Sequence, residues 1–417
     1  MSLSGEFIPP GDKSVSHRLA LFTLLGRGRM EVRGFSPCQD CDSSLAAVRL
    51  LGVSAEFHQR GMTLTGTAGR FTSQADLDCG NSGTTMRLMM GILAGREGRW
   101  SLDGDQSLRR RPMERVAGPL REMGARVTTT EGRPPVKVEG GGLTGRDHTL
   151  KVASAQLKSA LLLAGLQAQG ATVVREPAPS RDHTERLFRL MGAHLTGGEG
   201  VWTVEPGLLT LPALITVPGD PSAAAFFLCA AALLPGSRVT SRRVLLNPTR
   251  LGWLTVLERM GAVVEVNELG GEPEPWGEVT VTHGPELTAC RVAPHEIPLL
   301  VDEVPILALV ATQARGETVF EAVDELRHKE SDRLAAIIGQ LGAMGADLEA
   351  RGDDLVVHGP TPLALPAGEL DSFSDHRMAM TLALAGRLAG GEARVKDAAS
   401  AGVSYPGFYH ALGMLSR

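Results

Sequence analysis

Lysine is scarce in this 417-residue chain. Lys13, Lys137, Lys151, Lys158, Lys329 and Lys396 are the only ones, so arginine carries most of the positive charge. A formal net charge of −5 and a pI near 6.2 lack the basic balance of a nucleic-acid binder, and any positive charge that matters must be local. Cysteine is sparse too: five residues, an odd set without disulfide spacing. Cys38 and Cys41 make one CxxC that lacks the second pair a zinc site needs, so these cysteines read as structural or incidental. The longest apolar run, Ala223 to Leu234, falls short of the roughly 18 residues that span a bilayer. The first residues hold no charged stretch leading into an apolar one, so a secretory signal is not expected. A soluble, cytoplasmic protein is expected, with neither nucleic acid nor membrane as a partner. Three chemical signatures are missing as well. The stretch GDKSVSHR, residues 11–18, has the wrong spacing for the GxxxxGK[ST] phosphate loop, and there is neither an HExxH zinc motif nor a GxSxG nucleophile elbow.

What is present is length, apolar content and repetition. With 43% hydrophobic residues, 417 residues suffice for two domains with real cores. One phrase recurs, a leucine-containing helix end, then Met-Gly-Ala, then a β-like run: LREMGARV (120–127), LFRLMGAHL (187–195), LERMGAVVEV (257–266) and LGAMGADLEA (341–350). Weaker copies are LLGVSAEF (50–57) and the terminal LGML. Glycines 52, 124, 192, 261, 345 and 413 thus recur at roughly 70 to 85 residues, each expected to end a helix in the left-handed region before a strand begins. A second series of helices interleaves with these. It starts with Ser14 as a cap, near Asn81, at Ser154, at Asp220-Pro221, near Asp302, and at Ser374 or Asp375. The chain therefore reads as an α/β protein of six similar units in two sets of three.

Candidate chemistry collects at the starts of these helices. Lys13, Ser14 and Arg18 open the first, with Ser14 and Arg18 four apart on one face. Gly83 and Thr84 open the second, and Gln156 lies in the first turn after Ser154. Asp302 and Glu303 precede the fifth helix, and His376 and Arg377 open the sixth. In the other series Arg111 precedes Pro112, Arg181 precedes a helix, and Lys329 and Glu330 precede an expected Ser331 cap, with Arg333 in the first turn. Positive side chains oppose the dipole at a helix start, so the repeated placement calls for an anion. Arginine forks suit phosphate and carboxylate, and acids among the cations, Asp302 and Glu330 with Lys13, could move protons. Nothing in the pattern requires a metal or a cofactor.

The segments GDKSVSHR, GNSGTTMRL, RRRPM, ASAQLKSALLLAG, RDHTE, DEVPILA, LRHKESDRL and SDHRMAM, in that order, resemble the signature segments of the 5-enolpyruvylshikimate-3-phosphate synthases, over nearly the whole chain. The resemblance implies the enolpyruvyl transferase fold, a two-domain inside-out α/β barrel of βαβαββ repeats, three per domain. The expected domains are residues 12–218, and 1–11 with 219–417, the active site lying in the cleft between them. It also implies transfer of the enolpyruvyl group of phosphoenolpyruvate to the 5-hydroxyl of shikimate 3-phosphate, with release of phosphate, by a monomer without cofactor. Carried over by motif, Lys13, Ser14, Arg18, Ser154, Ala155, Gln156, Arg181, Asp302 and Lys329 would hold shikimate 3-phosphate. Lys13, Gly83, Arg111, Gln156, Arg333 and Arg377 would hold phosphoenolpyruvate. Asp302 would take the hydroxyl proton, and Glu330 with Lys13 would protonate the methylene carbon. The segment GVSYPGF has Val403 where some family members have lysine, which implies one cation fewer at the phosphoenolpyruvate site.

Two rivals stand beside this reading. UDP-N-acetylglucosamine enolpyruvyl transferases share the architecture, but they often carry a cysteine before the Arg-Pro segment, where this chain has GDQSLRRRPM, and a Lys-Asn pair at the first motif, where it has Lys13-Ser14. A non-catalytic anion-binding repeat protein would use Asp302 and Glu330 as ordinary caps.

Overall fold

In the computed structural model, which describes residues 2–416, helices alternate with short strands along the whole chain. The chain forms two compact units. One is Gly11–Val217; the other joins the first ten residues to everything from Pro218 onward. Each has its own apolar core.

The helices of the first unit are α1 (Lys13–Phe22), α2 (Gln39–Leu50), α3 (Gly83–Ala94), α4 (Glu114–Glu122), α5 (Ala155–Gly165) and α6 (His183–Leu190). Those of the second are α7 (Pro221–Leu233), α8 (Gly252–Arg259), α9 (Val304–Ala311), α10 (Arg333–Ala343), α11 (His376–Leu388) and α12 (Phe408–Leu415). The odd-numbered helices are the inner ones. α7 and α9 are buried along their whole length, as helices apolar on every side must be. The even-numbered helices α4, α6, α8 and α10 are amphipathic: α8 buries Trp253, Leu254, Val256 and Leu257 and exposes Thr255, Glu258 and Arg259. Among the described residues, no helix is long and apolar enough to cross a membrane.

One strand pattern repeats. Gln74–Asp78 pairs parallel with Gly98–Asp103 across α3; Gly98–Asp103 pairs antiparallel with Arg133–Gly140, which closes a hairpin with Arg126–Thr130. The inner helix is the crossover that a parallel pair demands. The same order recurs around α5 and around α9. The two remaining four-stranded sheets explain why the chain passes twice between units. Ser4–Phe7 pairs with Arg238–Leu245 in the second unit, whereas Leu214–Thr216 pairs with Arg29–Arg33 in the first. This is the inside-out α/β architecture expected from the sequence.

The sixth copy differs from the expected βαβαββ unit. Leu370–Asp371 and Val395–Lys396 flank α11 as a parallel pair, and the chain then continues into α12 instead of a hairpin. There Phe408 stacks on Phe227 of α7 with centroids 5.1 Å apart, and Tyr405 meets the same ring edge-on, so aromatic packing replaces a sheet. Gly413 accordingly lies inside α12, not after it. The other five glycines of the series, 52, 124, 192, 261 and 345, all have positive φ just past the even-numbered helices.

Gly91 positions the candidate site. A Cβ there would lie 2.2 Å from the carbonyl oxygen of Ala160, so α3 and α5 pack backbone against backbone. That closeness sets their N-terminal turns side by side, where Gln156 Nε2 donates to Thr84 Oγ1 at 2.9 Å.

Candidate active site

The first unit gathers a basic cluster at the starts of α1, α3 and α5 and of α4 and α6. Asp12, not Ser14, caps α1: its carboxylate accepts from the Val15 N–H at 2.8 Å. An aspartate satisfies an orphan donor and complements the dipole together, which a serine does not. Lys13 follows, with Nζ 2.9 Å from Asp40 Oδ2. Arg18, 3% exposed, donates from Nε to Thr184 Oγ1 at 2.7 Å, and from its two Nη atoms to the Ser14 carbonyl and Ser159 Oγ, each at 2.9 Å. Its guanidinium is thus locked against the face expected from the four-residue spacing.

Ser82, one residue past Asn81, caps α3, and Gly83 opens the helix. Arg111 donates to Asn81 Oδ1 at 2.5 Å. Arg87, four residues after Gly83 on the same helix, donates to Gln156 Oε1 at 2.5 Å and to the Pro112 carbonyl at 3.2 Å. A Cβ on Gly83 would come 2.9 Å from one Nη of Arg87 and 3.4 Å from one of Arg111, so glycine leaves room between two guanidinium groups. Ser154 caps α5 as expected, accepting from Leu157 N–H at 3.4 Å, with Ala155 and Gln156 in the first turn. Arg181 lies half-buried two residues before α6.

Beneath Lys13 and Arg18, His17 is fully buried and shares a hydrogen bond of 2.8 Å between Nδ1 and Ser44 Oγ. Ser44 in turn meets Thr85 Oγ1 at 2.7 Å, so α1, α2 and α3 are tied together by polar links. Burial, helped by Lys13 and Arg18 and opposed by Asp40, lowers the His17 pKa to about 3. Unfolding releases this imidazole to titrate near 6.5, so between pH 6.5 and 3 the unfolded chain binds the extra proton. Stability should therefore fall on acidification through that window by up to about 1.4 kcal/mol per pH unit from this group. Denaturant titrations at pH 7 and pH 5 check this: a His17→Gln variant should show a shallower pH dependence than wild type, and equal slopes would remove His17 as the cause.

All five cysteines are free, as the sequence suggested. Cys38 and Cys41 are buried near Lys13, and Cys41 Sγ lies 3.6 Å from the Lys13 carbonyl oxygen. A hydrogen bond from Cys41 lowers the Cys38 thiol to about 7.

The second unit gathers acids around two arginines. Arg333, 1% exposed, donates from Nε to Asp375 Oδ2 at 2.8 Å, from one Nη to Asp302 Oδ1 at 3.2 Å and from the other to Glu330 Oε2 at 2.5 Å. Burial works against its charge, but the three carboxylates outweigh burial and push its pKa up. Asp375 is likewise buried, a cost that Arg333 more than offsets, leaving its carboxyl below the usual range. Arg377 stands 3.8 Å from Asp302 Oδ2 and 3.6 Å from Glu303 Oε1. Glu303 precedes α9 without a side-chain capping bond and is buried toward Arg377 instead. Lys329 reaches Glu325 at 3.6 Å. Asp332, not Ser331, caps α10, while Ser331 donates to Asp375 at 3.1 Å. At Arg333, then, the anions that an arginine at a helix start calls for are supplied by the chain itself. The first unit thus presents basic side chains held mainly by hydroxyl, amide and carbonyl oxygens, with Lys13 paired to Asp40, and the second presents carboxylates whose positions guanidinium groups fix.

The family model described as EPSP synthase (3-phosphoshikimate 1-carboxyvinyltransferase) matches residues 1–412. Relatives bearing the name 3-phosphoshikimate 1-carboxyvinyltransferase include one from Parasynechococcus marenigrum, 48% identical over 99% of this chain and 96% of its own, and one from Bacillus velezensis, 44% identical over 100% and 98%. Among solved structures, the EPSP synthase of Acinetobacter baumannii superposes with a TM-score of 0.86 at 38% identity, covering 100% of this chain and 96% of that one. The enolpyruvyl transferase NikO of Streptomyces tendae, at 20% identity and a TM-score of 0.78 over 99% and 95% of the two chains, shares the fold. With a full-length family match and relatives above 40% identity, and with helix starts bearing the signature segments in order, this chain belongs to the EPSP synthase family.

Proposed function

We propose that these two clusters carry out the reaction of a 3-phosphoshikimate 1-carboxyvinyltransferase, with each side chain in a definite role. The enolpyruvyl group moves from phosphoenolpyruvate to the 5-hydroxyl of shikimate 3-phosphate, and inorganic phosphate leaves, a step of the shikimate route to aromatic amino acids. Shikimate 3-phosphate is held by Lys13, Ser14, Arg18, the Ser154-Ala155-Gln156 turn and Arg181, with Asp302 and Lys329. Phosphoenolpyruvate is held by Lys13, Gln156, Arg111, Arg333 and Arg377, with Gly83 leaving space for it. Asp302 accepts the proton of the 5-hydroxyl while the hydroxyl oxygen attacks C2, and Glu330 with Lys13 delivers a proton to the methylene carbon. The tetrahedral adduct then loses phosphate, which takes up the proton held by Asp302, and the methyl group returns one proton to Glu330 to restore the enol ether. The enzyme works in the cytoplasm. The observation that supports these roles best is the division itself: Arg18 is held by two hydroxyls and a carbonyl, while Asp302 and Glu330 are both held by Arg333.

Titration calorimetry tests the assignment of the acceptor. Arg181→Ala should weaken shikimate 3-phosphate binding at least tenfold, the loss expected for about 1.5 kcal/mol or more of charge-assisted hydrogen bonding. An unchanged dissociation constant would remove Arg181 from that site.

Gly83→Ala offers a complementary check on phosphoenolpyruvate. The new methyl group meets the flexible tips of Arg87 and Arg111, not backbone, so the fold should hold while both guanidinium groups shift. Steady-state kinetics should show the KM for phosphoenolpyruvate raised roughly tenfold, with kcat less affected, as when ground-state binding is lost. Unaltered kinetics would place phosphoenolpyruvate elsewhere.

A further inference from the structure

The roles above leave a buried ion cluster in the first unit unused. Lys158 on α5 has Nζ 2.7 Å from Glu176 Oε2 and 2.6 Å from Glu185 Oε1, and all three side chains are at most 1% exposed. Three charges so buried cost several kcal/mol each in lost hydration, and apolar side chains of the same volume commonly stabilise a core as well or better. Stability alone therefore does not account for the arrangement.

Its attachments give a second reason. Glu176 follows the strand Thr172–Arg175 and accepts from the Ser180 hydroxyl, while Lys158 Nζ lies 3.5 Å from the Ser180 carbonyl. Both ends of the segment leading to Arg181 are thereby clamped to α5. Pro177 and Pro179 in that segment have no N–H to donate, so side chains must supply the anchoring. On the other side, Glu185 adjoins Thr184, the acceptor for Arg18 Nε, and Lys158 adjoins Ser159, the acceptor for an Arg18 Nη. Ser159 and Thr184 are themselves 2.6 Å apart. Burial pushes the Glu185 carboxyl up against the pull of Lys158, which lessens the charge left in the cluster.

We propose that Lys158, Glu176 and Glu185 form a positioning triad that sets the affinity for the phosphorylated acceptor by fixing Arg18 and Arg181 relative to each other. The inference rests on the assignment of those two arginines to shikimate 3-phosphate. It is tested on the full chain by steady-state kinetics and shikimate 3-phosphate titration of Lys158→Met and Glu185→Gln, with Arg181→Ala as the control. Lys158→Met should raise the KM and dissociation constant for shikimate 3-phosphate at least tenfold, with kcat and the KM for phosphoenolpyruvate within threefold of wild type. Glu185→Gln, nearly isosteric, should move the same two quantities by a smaller factor, and it carries the test if Lys158→Met does not fold. Folded triad variants with unchanged acceptor affinity, while Arg181→Ala loses it, would overturn the triad alone. An Arg181→Ala variant with unchanged affinity would overturn the underlying assignment as well. Parallel losses in kcat and both KM values would mark the triad as a purely structural element and overturn the proposal.

Discussion

Arg333→Met should abolish measurable turnover and cost the folded protein about 3 to 5 kcal/mol, the range seen when one partner of a buried ion pair is removed. The size follows from how much the guanidinium compensates. Asp375 is fully buried, and Asp302 and Glu330 lie within 3.2 Å of the same arginine. Removing the cation takes away the donor these carboxylates share, while Asp375 keeps Ser331 and the Arg377 N–H. The pH dependence identifies the cause. In the wild type, Asp375 titrates below its unfolded value, so its contribution is present above about pH 4 and is lost as pH falls through the folded value. In the variant, protonation would relieve the repulsion, so the deficit should be larger at pH 8 than at pH 5. Denaturant unfolding at both pH values reads this directly. A deficit under about 1 kcal/mol, or one independent of pH, would mean that the carboxylates are not held by Arg333.

Asp302→Asn should lower kcat by roughly a hundredfold to ten-thousandfold, the usual contribution of a positioned general base. Asparagine keeps the shape and can still accept a hydrogen bond from Arg333, but it cannot take a proton. Asp302 lies at the start of an inner helix with one oxygen toward Arg333 and the other toward Arg377. The carboxylate is thus fixed from two sides, and what the substitution removes is chemistry more than geometry. The dissociation constant for shikimate 3-phosphate should change less than tenfold. A variant with near-normal kcat would exclude Asp302 as the base.

The helix ends were readable because they depend on neighbours in sequence. Glycines 52, 124, 192, 261 and 345 end helices in the left-handed region, and Asp220 with Pro221 begins one, through chemistry confined to a few residues. Capping errors arose where two good caps compete within a few residues: Asp12 won over Ser14, and Asp332 over Ser331. The short sixth copy was not visible, because LGML resembles a helix end in sequence while aromatic packing of Phe408 against Phe227 carries the helix through it. In the site, Ser14 and Arg18 were legible as a pair from their four-residue spacing. Arg87 obeys the same rule relative to Gly83 and could have been found by applying it there. The partners that fix these groups could not. Arg18 and Thr184 are 166 residues apart, Arg87 and Gln156 are 69, and only the fold brings them together. The same holds for Asp375, which reads as a helix cap in the sequence and serves at once as cap and as the main counter-ion of Arg333.

The most direct measurement of the central claim is phosphate release from phosphoenolpyruvate by the purified protein, with shikimate 3-phosphate and UDP-N-acetylglucosamine compared as acceptors. The account predicts release with shikimate 3-phosphate and none with the nucleotide sugar. Release with UDP-N-acetylglucosamine, or with neither acceptor, would contradict it.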